Sequence, residues 1–305
     1  MRFLRPSVVA QELLSSDENM RLLNSTPLVL MHLLVLAVPF FGISWPAVIV
    51  CLITYAVRVF ALTGGYHRYF SHRSYKTSRV FQFIIGFVGA SSAQRGPLWW
   101  ASHHRHHHQH SDGPEDMHSP LQRTTFRSHI GWLFTRRSTF AYERRVRDWL
   151  KFPELVWLDR FHFVAPFSLI ALMLGLGFVC QKVFPTSSVT PMQMAMWGFV
   201  ASTVMVYHVT WCINSATHLI GNRRFETEDG SRNSLFLALL TFGEGWHNNH
   251  HRYPASARQG FYTREIDITY YILKMFSKVG LIWDIHAPPA SIYREAAENG
   301  ETAKH

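Results

Sequence analysis

Histidines dominate the chemistry open to this chain: nineteen occur in 305 residues, and most fall into clusters. GGYHRYFSH carries His67 and His72, HHRHHH spans residues 103–108, and GEGWHNNHH carries His247, His250 and His251. Neutral imidazole is a good ligand for iron, zinc, copper and nickel. The three cysteines, Cys51, Cys180 and Cys212, lie in apolar runs without a C-x-x-C pair, which argues against a thiolate site or a disulfide framework. The last two clusters share the pattern H-x-x-H-H. On a helix, positions i, i+3 and i+4 share a face, so each triplet can aim several ring nitrogens into one small volume. Two registers fit HHRHHH, His103/His106/His107 and His104/His107/His108, and spacing alone does not choose between them. His67 and His72 lie roughly 140° apart around an ideal helix. They are expected to serve different metals unless the helix loosens after Gly64-Gly65. In NSATH, Asn214 and His218 are four apart and hang an amide and an imidazole over one side. Nine histidines are too many for one tetrahedral or octahedral ion and suit two.

These side chains need a scaffold, and the composition points to a membrane. The chain is 48% hydrophobic, 14% aromatic and only 16% charged. No charged residue falls between Arg21 and Arg58, which leaves room for two spans and a tight turn near Gly42–Pro46. Two further apolar runs lead to four expected transmembrane helices, at about 27–43, 46–63, 161–181 and 192–218. The shorter runs 80–93 and 235–243 are expected to be buried or surface-lying. Lys and Arg crowd residues 64–160 and 219–305, whereas the 181–191 connection holds only Lys182. That asymmetry places both termini and the histidine clusters on the cytoplasmic side of an integral, multi-pass membrane protein. The opening MRFLRPSVVAQELL lacks a cleavable signal pattern, so the first hairpin is expected to do the targeting. The fold class expected is all-α, four transmembrane helices under a helical cytosolic cap (64–160 and 219–305), as one domain over residues 1–305. Net charge is +10, which this topology and anionic headgroups explain without any nucleic-acid partner.

The boxes H-x-x-x-x-H, H-R-x-H-H and H-x-x-H-H, with N-x-x-x-H before the last, resemble those of the membrane fatty acyl desaturases of the stearoyl-CoA delta-9 type. The similarity runs from about Leu62 to Pro288 and includes SDGPEDMHSP, SHIGWLF, GEGWHNNHHRYP and RQGFYTREIDITYY. In that family the Arg of the second box follows its first ligand, which selects His104 over His103. The resemblance implies metal ligands His67, His72, His104, His107, His108, His218, His247, His250 and His251, with Asn214 acting through a water. It implies two iron ions, although zinc can occupy imidazole-rich sites in an overproduced sample. It also implies dioxygen-dependent insertion of a double bond, the delta-9 bond, into a long acyl chain. An unactivated methylene offers no acidic proton, so acid–base catalysis cannot start such a reaction and the cofactor must.

The acyl chain needs an apolar tunnel, for which Trp99 and Trp100 are suitable lining; by resemblance Gln94 and Trp100 lie where the substrate bends. Arg68, Arg73 and Lys76 are either positive-inside charges or holders of the acyl carrier's phosphates. Where acyl-CoA enzymes of the animal type carry Arg-Asp before the second box, this chain has Ser102 and His103. The carrier therefore stays open among CoA, lipid and carrier protein. Electrons are expected from a separate ferredoxin, rubredoxin or cytochrome b5 with its reductase, docking at Arg136, Arg137, Arg144, Arg145 and Arg147. His32, His129, His162, His208 and His286 are expected to be packed or interfacial. His110 and His118 are expected to hydrogen-bond metal-binding rings, Asp112, Glu115 and Asp116 to be either solvated or imidazole acceptors, and Arg58 to snorkel to the cytoplasmic interface. A hydroxylase or acetylenase using the same metals is the alternative reading, and a histidine-rich metal transporter a distant one.

Overall fold

The computed structural model describes residues 25–186 and 188–298. The expectations for the opening segment and for where the two termini lie fall outside these residues. Helix α1 (Thr26–Val35) is followed by a short 3-10 turn, Val38–Phe41, and a loop in which Gly42 takes φ +74°. Helix α2 runs unbroken over Trp45–Ser71. The Ser44 hydroxyl accepts the Ala47 amide and a proline stands in the first turn, both of which favour a helix start. After Phe60 the helix widens into π-form over Ala61–Ser71, buried throughout. Helices α3 (Arg79–Ala90), α4 (Pro97–His110), α5 (Thr125–His129) and α6 (Pro153–Arg160) follow on the cap side. Helix α7 (Val164–Val183) and helix α8 (Pro191–His218) form the remaining long apolar pair. The chain then adds α9 (Leu235–Leu240), α10 (His247–Arg252), α11 (Ile268–Lys278) and α12 (Ala290–Glu298).

Three helices, α2, α7 and α8, are long and apolar enough to cross a membrane among the described residues, where the sequence led us to expect four. The difference lies in α1, whose ten residues rise about 15 Å, half the hydrocarbon core. The other three expected spans, at about 46–63, 161–181 and 192–218, correspond to the long helices Trp45–Ser71, Val164–Val183 and Pro191–His218, the first of which runs eight residues further. Nor is the fold strictly all-α: β1 (Lys76–Thr77) and β2 (Ile282–Trp283) pair antiparallel and tie the loop after the first histidine box to the end of α11.

The long helices pack by close backbone approach, as membrane helices do in the absence of a hydrophobic drive between them. A Cβ at Gly177 of α7 would lie 2.5 Å from the Pro191 Cα of α8. Their outer faces present Phe167, Leu172 and Phe178 from α7 and Ile49, Leu52 and Ile53 from α2, all exposed and suited to lipid. Arg58 does not snorkel. It is 1% exposed, donating to the Thr54 carbonyl at 3.0 Å, the Thr203 hydroxyl at 2.7 Å and the Ser91 carbonyl at 3.3 Å. These interior acceptors replace the water that an interfacial guanidinium would have sought.

Candidate metal centre

Four pieces of chain converge where the cap meets the long helices. The π-form of α2 supplies His67 and His72. Its i to i+5 bonding, seen in the His72 amide donating to the His67 carbonyl at 3.2 Å, brings the two imidazoles to one side, edge-to-face and 4.8 Å apart between ring centres. The exception expected from the sequence, a helix that loosens at Gly64-Gly65, is the arrangement found, and both rings fall in one group. Such widened turns recur at functional sites. Gly65 permits the close approach of α3, since a Cβ there would lie 2.7 Å from Ile85 Cγ1.

Helix α4 supplies the second box and chooses its register. His104 and His108 turn toward His72 and His250, and His107 turns toward His218 and His251. His103 instead donates to the Phe140 carbonyl at 2.8 Å. His106 lies between the Glu115 carbonyl and Arg145. The start of α4 is held from outside: the Leu98 and Trp99 amides donate to Asp159 Oδ1 of α6 at 3.0 and 2.9 Å. His218 ends α8, and α10 carries His247, His250 and His251. The two asparagines inside the third box, Asn248 and Asn249, are wholly buried. They bind the loops on either side of α10 through the Phe225 amide, Asn233 and Glu265.

All nine histidines expected as ligands fall into two groups. His67, His72, His104, His108 and His250 form one and His107, His218, His247 and His251 the other, with the ring nitrogens in each group within 4.8 Å of one another. The groups adjoin, His108 stacking on His251 at 4.4 Å between ring centres. The chemistry of these nitrogens fits cations. His218 Nδ1 donates to Asp112 at 2.7 Å, so in the neutral ring Nε2 is a lone pair, and it faces His247 Nε2 at 3.1 Å. His251 gives Nδ1 to Asp229, and its buried Nε2 has no partner among the described residues. His72 and His104 meet Nε2 to Nε2 at 2.8 Å, His250 and His108 at 2.9 Å. Ring nitrogens gathered this closely make a donor set suited to an ion between them.

Carboxylates orient the rings from behind. Asp116 accepts from His107 at 2.9 Å, and Glu244 pairs with His67. Burial works to raise the Asp116 carboxyl, but His107 and His118 beside it hold it well below its usual value. Burial pushes His104, His108, His247 and His250 well below the usual imidazole value, which keeps them neutral as ligands must be. Asp112 and Asp116 are thus imidazole acceptors, not solvated loop charges. His118 packs 4.6 Å from His107 between ring centres, whereas His110 turns to Glu115 and Arg145 at the cap surface. Asp229 and Glu244 escaped the sequence reading, although Glu244 stands only three residues before His247 in GEGWH.

A mainly apolar cavity reaches the five-histidine group. Val59, Leu62, Val209 and Ile213 line it together with Trp100, Thr210, Asn214, His67, His104 and Glu244. Trp100 also stacks on His104, 5.1 Å between ring centres. Gln94 donates to the Thr210 hydroxyl at 3.0 Å, one residue behind the wall. Two expected substrate contacts are corrected. Trp99 faces away, its indole N–H on the Ser138 carbonyl and its ring stacked on Trp132, because neighbouring helix positions point about 100° apart. Arg68 is wholly buried in ion pairs with Glu244 and Asp267 and cannot reach a carrier phosphate. Arg73 is exposed at the cap surface beside Asp148. Of the five arginines expected to face a redox partner, Arg136, Arg144 and Arg147 are exposed, while Arg137 and Arg145 turn inward to His106. His32, His129 and His208 form a separate row with nitrogens 3.1–3.3 Å apart.

The sequence profile described as fatty acid desaturase matches residues 43–265. The chain is 36% identical over 267 residues to the acyl-CoA C20 Delta5-desaturase of Anemone leveillei, covering 85% of this chain and 79% of that one. It is 35% identical over 274 residues to the Delta-9 acyl-lipid desaturase 1 of Arabidopsis thaliana, covering 87% and 83%. To the sn-2 palmitoyl-lipid 9-desaturase of Nostoc sp. (strain 36) it is 33% identical over 267 residues, covering 85% and 87%.

Proposed function

The chain belongs to the fatty acid desaturase family and is an integral membrane fatty acyl desaturase, and within that family we propose a di-iron enzyme that inserts a delta-9 double bond into a long-chain acyl group. The observation that carries this reading is a histidine group that opens on an apolar cavity through His67 and His104, with a second histidine group adjoining it. Iron held by the nine imidazoles would supply the activation of dioxygen that an unactivated C–H bond requires. The chain's own side chains do the rest. Val59, Leu62, Val209 and Ile213 exclude water and take the hydrocarbon; Trp100 fixes the ring plane of His104; Asn214 presents its amide to the same space. Gln94, through Thr210, stiffens the wall where the acyl chain bends. Relatives named for acyl-CoA and for acyl-lipid substrates, and for positions 5 and 9, stand at similar identity. We favour position 9 on the likeness of the histidine boxes, and a lipid or carrier-protein link over CoA because Ser102 and His103 are turned into the cap. Electrons come from a separate redox protein at the exposed Arg136, Arg144 and Arg147, and the cap faces the cytoplasm as one unit with the spans.

The test is expression with a ferredoxin or cytochrome b5 and its reductase in a host of known acyl profile, followed by mass spectrometry of fatty methyl esters. A new cis-9 monoene and two irons per chain are expected. His107→Ala or His250→Ala should abolish the product and lower bound iron, while His32→Ala should do neither. A hydroxylated or acetylenic product would overturn the reaction assigned, and equal loss in all three variants would overturn the ligand assignment.

A further inference from the structure

The two histidine groups differ in what stands behind them. In the group of four, three rings give Nδ1 to aspartates: His107 to Asp116, His218 to Asp112 and His251 to Asp229. These carboxylates are steadied by backbone amides, Asp112 N–H on Asp116, Gly230 N–H on Asp112 and Ser231 N–H on Asp229. Among the described residues their ion pairs are with imidazoles alone. In the group of five, only His67 meets a carboxylate, and that one, Glu244, is shared with the Arg68 guanidinium at 3.0 Å. No carboxylate lies within ion-pair distance of His72, His104, His108 or His250 among the described residues, and His250 Nδ1 has no partner there. The five-histidine group also opens on the cavity through His67 and His104, whereas none of the four lines it.

Resting on the two-ion reading above, we propose that the four-histidine site binds its metal ion first and more tightly than the five-histidine site. A carboxylate accepting from the far nitrogen raises an imidazole's basicity and fixes its aim, and loss of one such partner typically weakens metal binding about 10–100-fold. Three intact partners against one that an arginine neutralises therefore outweigh the fifth imidazole, a neutral donor. Its additional ring brings no anion, and the cavity on its side gives the ion a route of escape. A chain short of metal accordingly holds one ion, in the aspartate-backed site, and the cavity-side site is the one that empties.

The measurement is a titration of the metal-free full-length protein in detergent with Co²⁺ buffered by a chelator, counting bound cobalt per chain by elemental analysis. Two steps at least about tenfold apart are expected. His247→Ala should delete the tight step and His104→Ala the weak one. Asp229→Asn should weaken the tight step about 10–100-fold and leave the weak one in place; Asp112→Asn serves equally should Asp229→Asn fail a size-exclusion check. Two steps of equal affinity, or loss of the weak step in His247→Ala, would overturn the proposal. Wild-type protein that never reaches two ions at saturating Co²⁺ would instead overturn the two-ion reading beneath it.

Discussion

Asp159 offers a sharp test of how the second histidine box is held in place. Its Oδ1 accepts both the Leu98 and Trp99 amides at the start of α4, a task usually done by a residue just before the helix. Gly96 occupies that place without a side chain, and a Cβ there would collide with Asp159. The arrangement carries a cost. Burial raises the Asp159 carboxyl from 3.8 to about 6, against the opposing pull of the two amides and Arg95. A carboxyl so displaced is about 3 kcal/mol less favourable when ionised in the fold than in the unfolded chain. The sign follows: the folded value lies above the unfolded one, so the stabilisation is complete below about pH 4 and is lost as pH rises through about 6.

Asp159→Asn keeps the acceptor oxygen and removes the charge, whereas Asp159→Ala leaves two buried amides unsatisfied at about 1–3 kcal/mol each. Thermal melting of the detergent-solubilised protein, followed by tryptophan fluorescence between pH 4.5 and 8, should therefore show Asp159→Asn melting above wild type at pH 7.5 by roughly 5–10 °C. The two curves should close up toward pH 4.5. Asp159→Ala should melt below Asp159→Asn throughout and retain less metal, because α4 carries His104, His107 and His108. A gap that does not change with pH, or an Asn variant less stable than wild type at pH 7.5, would refute the reasoning.

Gly65→Ala should destabilise the protein by about 1–3 kcal/mol, since the new Cβ would lie 2.7 Å from Ile85 Cγ1; chemical denaturation measures the loss, and bound metal should fall with it because His67 is two residues on. Burial, with Arg145 and Arg137 adding to it, lowers His106 to about 3. Its neutral ring is favoured in the fold, so stability is complete above about pH 6.5 and declines as pH falls, by about 1.4 kcal/mol per pH unit for one proton. His106→Gln should remove that one-proton slope from the pH dependence of unfolding. Arg58→Met should lower stability without changing the number of metal ions bound, because the Arg58 partners Thr54, Ser91 and Thr203 lie outside both histidine groups; a melting curve and a metal count together decide it.

The long helices and the ligand candidates were legible because each depends on a repeating local signal: unbroken apolar runs for α2, α7 and α8, and i, i+3, i+4 histidines for α4 and α10. Two things had no such signal. The π-form of α2 is a departure from the regular period, and the spacing of His67 and His72 argued against convergence for any ordinary helix. Only the glycine pair hinted that the period breaks. Likewise a lone acidic residue such as Asp229, 22 positions before the His251 it orients, carries no mark of its partner. Arg68 and Trp99 were misjudged for a related reason. A basic residue beside a metal box and a tryptophan beside Trp100 look like substrate contacts until the chain's folding brings up Glu244 and Asp267 for the one, and Trp132 for the other.

The cavity touches only one of the two histidine groups. Of the nine clustered rings only His67 and His104, both of the five-histidine group, line it, so hydrocarbon in that space meets one group and not the other. Trp100 belongs to the same wall and lies against His104, which means that any acyl chain bulky enough to move the indole also disturbs a ring of the group it faces. The four rings of the other group do not line it, and His107, His218 and His251 among them are each braced by an aspartate. A rigid, anion-backed group and a more open one at the substrate wall are what a centre needs if it must admit an apolar chain on one side without losing its hold on the other.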